Sequence, residues 1–228
     1  MTRVHVLVPY RDRENHMKCF LKDFVPCLKK HIKDVKITIV EQSDDGKLFN
    51  RGKLLNIGVC EASEDSTHFI LQDIDTFAND FCVKQLYRIQ EHHEDIVRIN
   101  VPHNNSLGCI CKITSDAMYK INGFPNVIFG WGIEDRALYW RAKIKEISMS
   151  SDKSSKHSFR VLDHKSNVRR YTGDTLRESD KWKELAIKKM NPNQKKELVE
   201  SDGLNNVNYK VLKKKIIEHG VEMITVSL

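Results

Sequence analysis

Two short acidic segments contain the residue types in this chain that are best suited to chemistry. Residues 130–135 (GWGIED) place two adjacent carboxylates, Glu134 and Asp135, directly after a tryptophan that lies between two glycines. An indole face can hold a sugar ring, and a carboxylate can bind hydroxyl groups or remove a proton. The second segment follows an apolar run and carries Asp73 and Asp75, whose oxygens suit a divalent cation. The two segments together indicate transfer of a sugar from a nucleotide donor.

The composition is typical of a folded protein with a basic surface. The 228 residues carry a net charge of +7, with 40% hydrophobic and 30% charged residues. The positive charge suits an anionic partner such as a nucleotide sugar, a nucleic acid, an acidic glycan or a membrane surface, although lysine runs are usually just solvated faces. The chain shows no RNP, zinc-finger or helix-turn-helix pattern, so we expect no nucleic-acid partner.

Hydropathy and cysteine spacing bear on the compartment. No apolar stretch approaches the ~20 residues that span a bilayer, and the first residues lack a signal-peptide pattern. We therefore expect a soluble cytoplasmic protein, or a Golgi lumenal one if the sequence is a truncated catalytic domain. The six cysteines form no pair of CxxC motifs, so their spacing predicts no zinc site. They are expected to be reduced, and most of them are expected to pack as small apolar groups.

Strand and helix patterns alternate through the first 125 residues. Strands are predicted at 3–9, 35–40, 67–71, 95–101 and 109–113, and helices at 16–32, 53–62, 81–92 and 115–121. Pro26 should break or kink the first helix. The alternation predicts an α/β fold with a mixed, mostly parallel central sheet, in which ligands bind beyond the carboxyl ends of the strands. The polar residues at such ends are Arg11, Arg13, Glu41, Asp73 and Asp75.

The pattern changes after about residue 125. A helix is predicted at 134–145, a polar loop at 148–158, mostly helix and mobile loop at 165–202, and two strands at 207–228 around residues 218–220. We therefore divide one compact catalytic domain into a nucleotide-sugar-binding half, residues 1–125, and an acceptor-binding half, residues 126–228. The charge-rich segment 165–202 is a candidate lid that orders on donor binding.

Several segments in a fixed order carry a resemblance that covers nearly the whole chain. They are 8–13 (VPYRDR), 49–56 (FNRGKLLN), 73–75 (DID), 121–126 (INGFPN), 130–135 (GWGIED), and 201–205 (SDGLN) followed by 209–212 (YKVL). A DxD motif alone is common, but the ordered set resembles the β-1,4-galactosyltransferase family. That resemblance implies a single-domain GT-A-type nucleotide-sugar-binding fold. It also implies an inverting, metal-dependent transferase that uses UDP-galactose or UDP-N-acetylgalactosamine.

The chain departs from the family pattern at positions that concern the acceptor and the compartment. Ile133 stands where the family usually has a second glycine, and Arg136 replaces an acid, which leaves the acceptor sugar open. His68 stands where the family usually has a cysteine, so a disulfide of the secretory members is not expected. The sequence also shows no counterpart of the family's membrane anchor and stem.

The resemblance implies the metal ligands. Asp75 is the predicted carboxylate ligand of Mn²⁺, with Mg²⁺ as the alternative, and the metal would neutralise the donor diphosphate. His164 matches the family's histidine ligand within residues 160–164 (RVLDH). Val161 occupies a position where some members have a methionine ligand and cannot coordinate a metal, so Asp163 or water would complete the site.

The remaining site residues are predicted to bind the two sugars. Asp135 is the expected general base and Glu134 is expected to bind hydroxyl groups, although an acidic pair at a helix N-terminus also has a structural explanation. Trp131 would stack on the acceptor or cover the donor. The predicted donor-binding residues are Pro9, Arg11, Arg13, Phe49, Arg51, Asp73, Ser106 and Gly108. Galactose-specific members carry a tyrosine at the position of Ser106, so the smaller side chain predicts space for an N-acetyl group.

The sequence leaves three classes of function open. The first is a Mn²⁺-dependent transferase acting on an acceptor sugar hydroxyl, with a related enzyme that extends a capsule or chondroitin-like chain as its variant. The second is a noncatalytic nucleotide- or carbohydrate-binding module, in which Ile133 and Arg136 would mark lost activity; the intact Asp75, Glu134 and Asp135 argue against it. The third, a nucleic-acid binder, rests on net charge alone. The sequence does not indicate the linkage or the oligomeric state.

Overall fold

A computed structural model describes residues 3–88, 94–100, 105–130, 132–151, 159–163 and 173–228. Two predicted site residues, Trp131 and His164, lie outside these ranges, as do parts of the predicted segments 81–92, 148–158 and 165–202. All six cysteines lie within the described ranges and are free thiols. None of the described helices is both long and apolar enough to cross a membrane.

The described strands form one large sheet and one small sheet. They are β1 (Val4–Tyr10), β2 (Lys36–Gln42), β3 (His68–Gln72), β4 (Thr76–Ala78), β5 (Ile96–Asn100), β6 (Ile110–Thr114), β7 (Met149–Ser151), β8 (Phe159–Val161), β9 (Lys210–Ile216) and β10 (Glu222–Ser227). The large sheet has the order β7-β5-β6-β3-β1-β2-β10-β9, and β4 pairs with β8. The pairs β1–β2, β1–β3, β2–β10 and β5–β7 are parallel, whereas β6 and β9 run antiparallel to their neighbours. The predicted α/β fold with a mixed, mostly parallel sheet is confirmed.

Helices cover both faces of the large sheet. Those described are α1 (Glu14–Cys19), α2 (Val25–His31), α3 (Arg51–Cys60), α4 (Asp80–Cys82), α5 (Ser115–Lys120), α6 (Glu134–Ile144), α7 (Gly173–Lys181), α8 (Glu184–Lys189) and α9 (Pro192–Glu200). On one face, Val6 and Val8 of β1 pack in a cluster with Phe20 and Phe24. On the other face, Leu7 packs in a cluster that contains residues of α3, α5 and α6. Because β1 is covered on both sides, its sequence VHVLVPY is almost continuously apolar.

The predicted helix at 16–32 is observed as three consecutive pieces. A π-helical turn, Phe20–Phe24, joins α1 to α2, and Pro26 lies in the first turn of α2. Proline has no N–H for the carbonyl one turn earlier, and its ring crowds that carbonyl. A wider turn directly before the proline relieves both problems. The predicted effect of Pro26 therefore takes the form of a change in helix type.

Most predicted elements are observed within a few residues of their expected bounds. The polar stretch 148–158 is an exception, because Met149–Ser151 forms an edge strand parallel to β5. The loop prediction was wrong there, since a three-residue strand is too short to show alternation. The strands β4 and β8 were also not predicted. Within the predicted helix 81–92, the described part is α4 followed by a π-helical turn, Val83–Tyr87.

The two predicted halves are joined through the sheet and through a buried polar network. The strands β7, β9 and β10 come from the second half and join the sheet of the first. Asn56 Nδ2 donates to Asn126 Oδ1 at 3.0 Å, and Asn122 Nδ2 donates to Asn205 Oδ1 at 3.0 Å. Gly203 is required beside this contact, because a Cβ there would lie 2.0 Å from the carbonyl oxygen of Asn122. The INGFPN and SDGLN motifs therefore brace the fold.

Candidate active site

The two acidic segments of the sequence meet where β3 ends and α6 begins. Asp73 and Asp75 follow β3, and Glu134 and Asp135 are the first residues of α6. Arg51, the first residue of α3, lies between the segments. Its Nε donates to Asp73 Oδ1 at 2.7 Å, and its Nη1 lies 3.8 Å from Glu134 Oε1. One guanidinium therefore connects both acidic segments.

The start of α3 holds Arg51 in place. Asn50 caps the helix, because its Oδ1 accepts a hydrogen bond from Lys53 N at 2.9 Å. Its Nδ2 donates to the Asn126 carbonyl at 2.7 Å, and the residue is fully buried. The first turn of α3 is thus fixed against the body of the protein. A planar guanidinium in this position can serve two carboxylates at once.

Burial and neighbouring charges control protonation in this cluster. Burial raises the pKa of Asp73, although the Arg51 charge opposes the shift. Burial, followed by the adjacent Asp135 charge, raises the pKa of Glu134 to about 7. Burial alone lowers the pKa of Arg51, but the charges of Asp73 and Glu134 outweigh it and raise that pKa. The site therefore holds a permanent cation between two carboxyl groups, of which Glu134 can carry a proton near neutral pH.

The raised pKa of Glu134 predicts that stability depends on pH. A carboxyl group with a higher pKa in the folded protein binds its proton more tightly there. The folded state therefore loses stability as the pH rises from 4.5 through about 7. Glu134→Gln cannot ionise, so its unfolding temperature relative to wild type should be higher at about pH 8 than at about pH 5, by on the order of 5 °C.

Thermal unfolding of both proteins at the two pH values measures this effect. Glu218→Gln is the matched control, because Glu218 is exposed and the same substitution there should give a difference that does not change with pH. A Glu134→Gln difference that is equally independent of pH would mean that the folded protein does not hold a proton on Glu134.

Asp75 is positioned by a backbone contact with the segment that precedes His164. The Asp75 carbonyl accepts a hydrogen bond from Leu162 N at 2.7 Å, directly beside the pairing of β4 with β8. Thr76 Oγ1 donates to Asp75 Oδ1 at 3.1 Å and orients the carboxylate. The chain up to Asp163 therefore runs alongside Asp75, while His164 lies outside the described residues.

Residues 106–109 connect the two acidic segments from the side of β6. At one end, Leu107 N donates to the Asp135 carbonyl at 3.3 Å. At the other end, the Cys109 carbonyl accepts a hydrogen bond from Asp73 N at 3.3 Å. Ser106 is buried beside the Asp135 contact. The predicted donor-binding segment thus lies next to the backbone of both predicted catalytic regions.

The residues predicted to hold the nucleotide lie after β1 and before α3. The Arg11 guanidinium carbon lies 5.6 Å from the centre of the Phe49 ring, and Arg11 Nη1 donates to the Lys47 carbonyl at 2.8 Å. Arg13 is partly exposed at the start of α1. Pro9 is buried within β1.

The turn before α6 has an uncommon backbone. Gly130, Gly132 and Ile133 have φ angles of 95°, 85° and 82°. This conformation is costly for a β-branched residue such as Ile133, and such strain is often found at ligand sites. Gly130 N donates to the Phe49 carbonyl at 2.8 Å, which ties the turn to the predicted nucleotide end. Gly108, also predicted to bind the donor, has a φ of 81°.

Sequence reasoning did not predict two contacts of Asp73. Arg51 was predicted to bind the donor, and in the structure it pairs with this carboxylate. Asp73 N also donates to the Cys109 carbonyl at 3.3 Å, and burial, followed by the Asp73 charge, raises the pKa of the Cys109 thiol to about 12. Neither partner could be identified from spacing, because α3 and β6 are brought to β3 only by the fold.

Two family models match consecutive parts of the chain. Residues 1–89 match the N-terminal region of glycosyl transferase group 7. Residues 90–165 match a model described as the N-terminal domain of galactosyltransferase. Together the matches run without a gap over residues 1–165, which is more than half of the chain.

Curated relatives include two mammalian enzymes. β-1,4-Galactosyltransferase 4 of Homo sapiens is 28% identical, over 100% of this chain and 63% of its own length. β-1,4-Galactosyltransferase 1 of Mus musculus is 30% identical, over 92% of this chain and 51% of its own length. The chain therefore spans about half to three fifths of the length of these relatives.

Solved structures with the same fold include a Drosophila β-1,4-galactosyltransferase 7 mutant in complex with manganese, UDP-Gal and xylobiose. It aligns with a TM-score of 0.78 at 23% identity, over 100% of this chain and 94% of that one. S. aureus TarS 1–349 aligns with a TM-score of 0.55 at 14% identity, over 86% and 69% of the two chains. At these identities the likeness establishes the fold, which is of the expected GT-A type. Together with the two family models, these findings show that the chain belongs to the β-1,4-galactosyltransferase family.

Proposed function

We propose that this chain is an inverting transferase that moves galactose or N-acetylgalactosamine from a UDP donor to a hydroxyl group of an acceptor sugar. The observation that carries the proposal is the bridge from Asp73 through Arg51 to Glu134, with Asp135 alongside. It gathers a DxD carboxylate and an acidic pair at the place where β3 ends and α6 begins. The Drosophila structure with manganese, UDP-Gal and xylobiose supports the same kind of donor and a sugar acceptor.

Asp75 and His164 are the residues that we assign to a Mn²⁺ ion, with Mg²⁺ as the alternative. These two side chains fit such an ion, because a carboxylate oxygen and an imidazole nitrogen are suitable ligands. The hydrogen bond from Leu162 to the Asp75 carbonyl supports this assignment, since it brings the segment that leads to His164 beside Asp75. When bound, the ion would neutralise charge on the departing UDP diphosphate.

Asp135 is our candidate for the general base. In an inverting transfer one carboxylate removes the acceptor hydroxyl proton as the oxygen attacks the anomeric carbon. Asp135 is partly exposed, and its Oδ1 accepts from Arg136 N at 2.7 Å, which fixes the orientation of the carboxylate. This position makes the carboxylate accessible to a sugar hydroxyl.

Glu134 has a different role, which is to bind a sugar hydroxyl. It is buried, and one of its oxygens lies near Arg51. Its other oxygen, Oε2, is also buried and has no hydrogen-bond partner among the described residues. A buried polar atom of this kind is costly unless something satisfies it. A substrate hydroxyl would do so.

Arg11 and Phe49 form the nucleotide end of the site. The Phe49 ring would stack on uracil, and the Arg11 and Arg13 guanidiniums would reach a phosphate or a uracil edge. Arg51 already pairs with Asp73, so a contact with the diphosphate would require it to exchange partners. Asp73 is therefore assigned to the donor ribose or to a water on the metal.

The small side chain at Ser106 predicts which donor is used. UDP-N-acetylgalactosamine should be used at least as well as UDP-galactose, because Ser106 leaves space for the acetamide and can hydrogen-bond to it. Ser106→Tyr should shift the ratio of kcat/KM for the two donors toward galactose by about tenfold or more, since added bulk penalises only the larger donor. Steady-state kinetics with both donors measures the ratio.

Ser106→Ala is the matched control for this donor prediction. It removes the hydroxyl but keeps the space, so the ratio should change much less than in Ser106→Tyr. Because Ser106 is buried, the unfolding temperature of each variant has to be compared first, with Ser106→Val as a smaller step. A wild-type preference for galactose that Ser106→Tyr leaves unchanged would show that this side chain does not face the donor.

We also propose that the two halves of the chain bind different substrates. Residues 1–125 would bind the nucleotide sugar and residues 126–228 the acceptor, with the segment 165–202 as a lid. The described part of that segment includes α7, where Thr175 Oγ1 donates to the Phe129 carbonyl at 2.5 Å next to the turn before α6. A lid at this place would lie over the acidic pair when it orders.

The compartment is a further part of the proposal. Free thiols at all six cysteines suit a reducing environment such as the cytoplasm. The Golgi lumen is the alternative if the sequence is one part of a longer protein. Microscopy of a tagged full-length protein in its own cells distinguishes the two.

A noncatalytic binding module is the second candidate function. The strained Ile133 and the exposed Arg136 beside the acidic pair favour it. The deciding experiment incubates the protein with Mn²⁺, a set of UDP-sugars and a panel of acceptors that includes xylosides and chondroitin-like chains. Release of UDP that depends on the acceptor supports transfer. Donor binding without any UDP release across the panel would support the module instead.

A further inference from the structure

Cys27, His31 and Asp80 form a cluster of metal-ligand types that the proposed transfer reaction does not use. Their ligand atoms lie within 4.8 Å of one another. Cys27 Sγ is 3.1 Å from Asp80 Oδ1, and His31 Nε2 is 3.0 Å from Asp80 Oδ2. We propose that these three side chains bind a Zn²⁺ ion, with water in the fourth position.

The local structure aims the ligands at one point. Cys27 and His31 are four residues apart on α2, so they lie on one face of the helix about one turn apart. Asp80, the first residue of α4, approaches that face. With Zn–S of about 2.3 Å and Zn–N or Zn–O of about 2.0–2.2 Å, tetrahedral ligands lie roughly 3.3–3.7 Å apart. The observed separations are 3.1 and 3.0 Å to the two different oxygens of Asp80 and at most 4.8 Å overall, so binding requires side-chain shifts of about 1 Å.

The ligand types of this cluster favour a different metal ion from the one assigned to the acidic site. A thiolate, an imidazole and one carboxylate suit Zn²⁺, whereas carboxylates and water suit Mn²⁺ or Mg²⁺. The cluster shares no residue with Asp75 and His164. Cysteine spacing predicted no zinc site because only one ligand is a cysteine and the third comes from position 80, in another helix.

A hydrogen-bonded cluster around Asp80 would explain the same contacts without an ion. Lys30 Nζ lies 2.6 Å from Asp80 Oδ2 and supplies a positive charge there. The Lys30 side chain is 65% exposed, however, and exposed ion pairs contribute little to stability, so a divalent ion can displace it. A cavity of about 330 Å³, lined in part by Cys27 and Asp80, opens beside the cluster and gives an ion access.

Metal binding has to displace one proton from the cluster. The Lys30 ammonium, followed by its other hydrogen-bonding neighbours, holds the pKa of Asp80 well below its ordinary value. Burial, followed by Asp80, raises the pKa of the Cys27 thiol to about 12. Binding therefore forms a Zn–S bond and releases the thiol proton to solvent. The ion would tie α2 to the start of α4, directly after the strand that follows Asp75.

Metal titration of the full chain tests this proposal. In the Asp75→Ala background, which weakens the acidic site, calorimetry with Zn²⁺ should show one site, and Co²⁺ should give a thiolate-to-cobalt charge-transfer band. Cys27→Ser should remove the band and weaken Zn²⁺ binding by more than the ~10–100-fold that loss of an outer-shell partner causes. Lys30→Ala keeps all three ligands and removes the competing ammonium, so it should tighten binding.

Cys109 provides the matched control, because its carbonyl accepts a hydrogen bond from Asp73 N, which places this cysteine beside the acidic site. Cys109→Ser should keep the cobalt band. The proposal is wrong if no band appears, or if Cys109→Ser removes the band while Cys27→Ser keeps it. Zn²⁺ should also slow alkylation of Cys27 in the wild-type protein, read by mass spectrometry. Unchanged alkylation would overturn the proposal without depending on any variant.

Discussion

Asp75→Ala is expected to abolish sugar transfer and to weaken UDP-sugar binding in Mn²⁺ to the level of the metal-free wild type. Asp75 is the carboxylate assigned to the metal, and its backbone holds the segment that leads to His164. A ligand loss of this kind acts on binding and on catalysis together, because the same ion would hold the diphosphate and neutralise it as it departs. Released UDP measures turnover, and calorimetry with and without Mn²⁺ measures binding.

Asp116→Ala is the matched control, since Asp116 is an exposed aspartate in the first turn of α5 and should leave both readouts unchanged. His164→Ala should raise the Mn²⁺ concentration needed for half-maximal activity, because one lost ligand leaves others in place. Full activity of Asp75→Ala in chelator-treated buffer would remove Asp75 and the metal from the proposed mechanism.

The sequence predicted the strands best where burial left a clear pattern. β1 is covered on both faces, so its apolar run was recognisable without knowledge of its partners. β4, β7 and β8 have three residues each, which is too few for alternation to appear. Their existence depends on partners elsewhere in the chain, since β4 forms by pairing with β8. Such elements follow from tertiary structure and not from local propensity.

The acidic residues of the candidate site were predicted individually, but their relations were not. Asp73 was expected at a strand end, and Glu134 and Asp135 at the start of a helix. The Arg51 bridge could not be foreseen, because a guanidinium at a helix start has many potential partners until the fold chooses among them. The proposed zinc site could not be predicted from the sequence for the same reason, since Cys27 and Asp80 meet only after α2 and α4 have packed.

The two adjacent acids of the candidate site differ in their environment. Glu134 is buried beside Arg51, and its pKa is raised to about 7, so part of the population is protonated at neutral pH. A carboxyl group in that state donates or accepts a hydrogen bond but is a poorly ionised base. Asp135 is the more exposed of the two and lies on the side of segment 106–109. Different environments for neighbouring carboxyl groups are a common way to assign different tasks.

Asp135→Asn should therefore lose on the order of 10² or more in turnover while it keeps its affinity for UDP. The amide preserves shape but cannot accept the acceptor hydroxyl proton. The nucleotide is assigned to Arg11, Phe49 and the Asp75 metal, which this change does not alter. Steady-state kinetics gives kcat, and calorimetry with UDP and Mn²⁺ gives the affinity.

Glu134→Gln is needed for comparison with Asp135→Asn, because the two variants together show which carboxyl group is the base. If Glu134 binds a hydroxyl group and Asp135 removes the proton, Glu134→Gln should raise the KM for a sugar substrate, whereas Asp135→Asn should act mainly on kcat. Wild-type transfer by Asp135→Asn, together with a loss of kcat in Glu134→Gln, would reverse the assignment. In that case the base would be the buried carboxyl group, and its raised pKa near neutral pH would serve proton transfer.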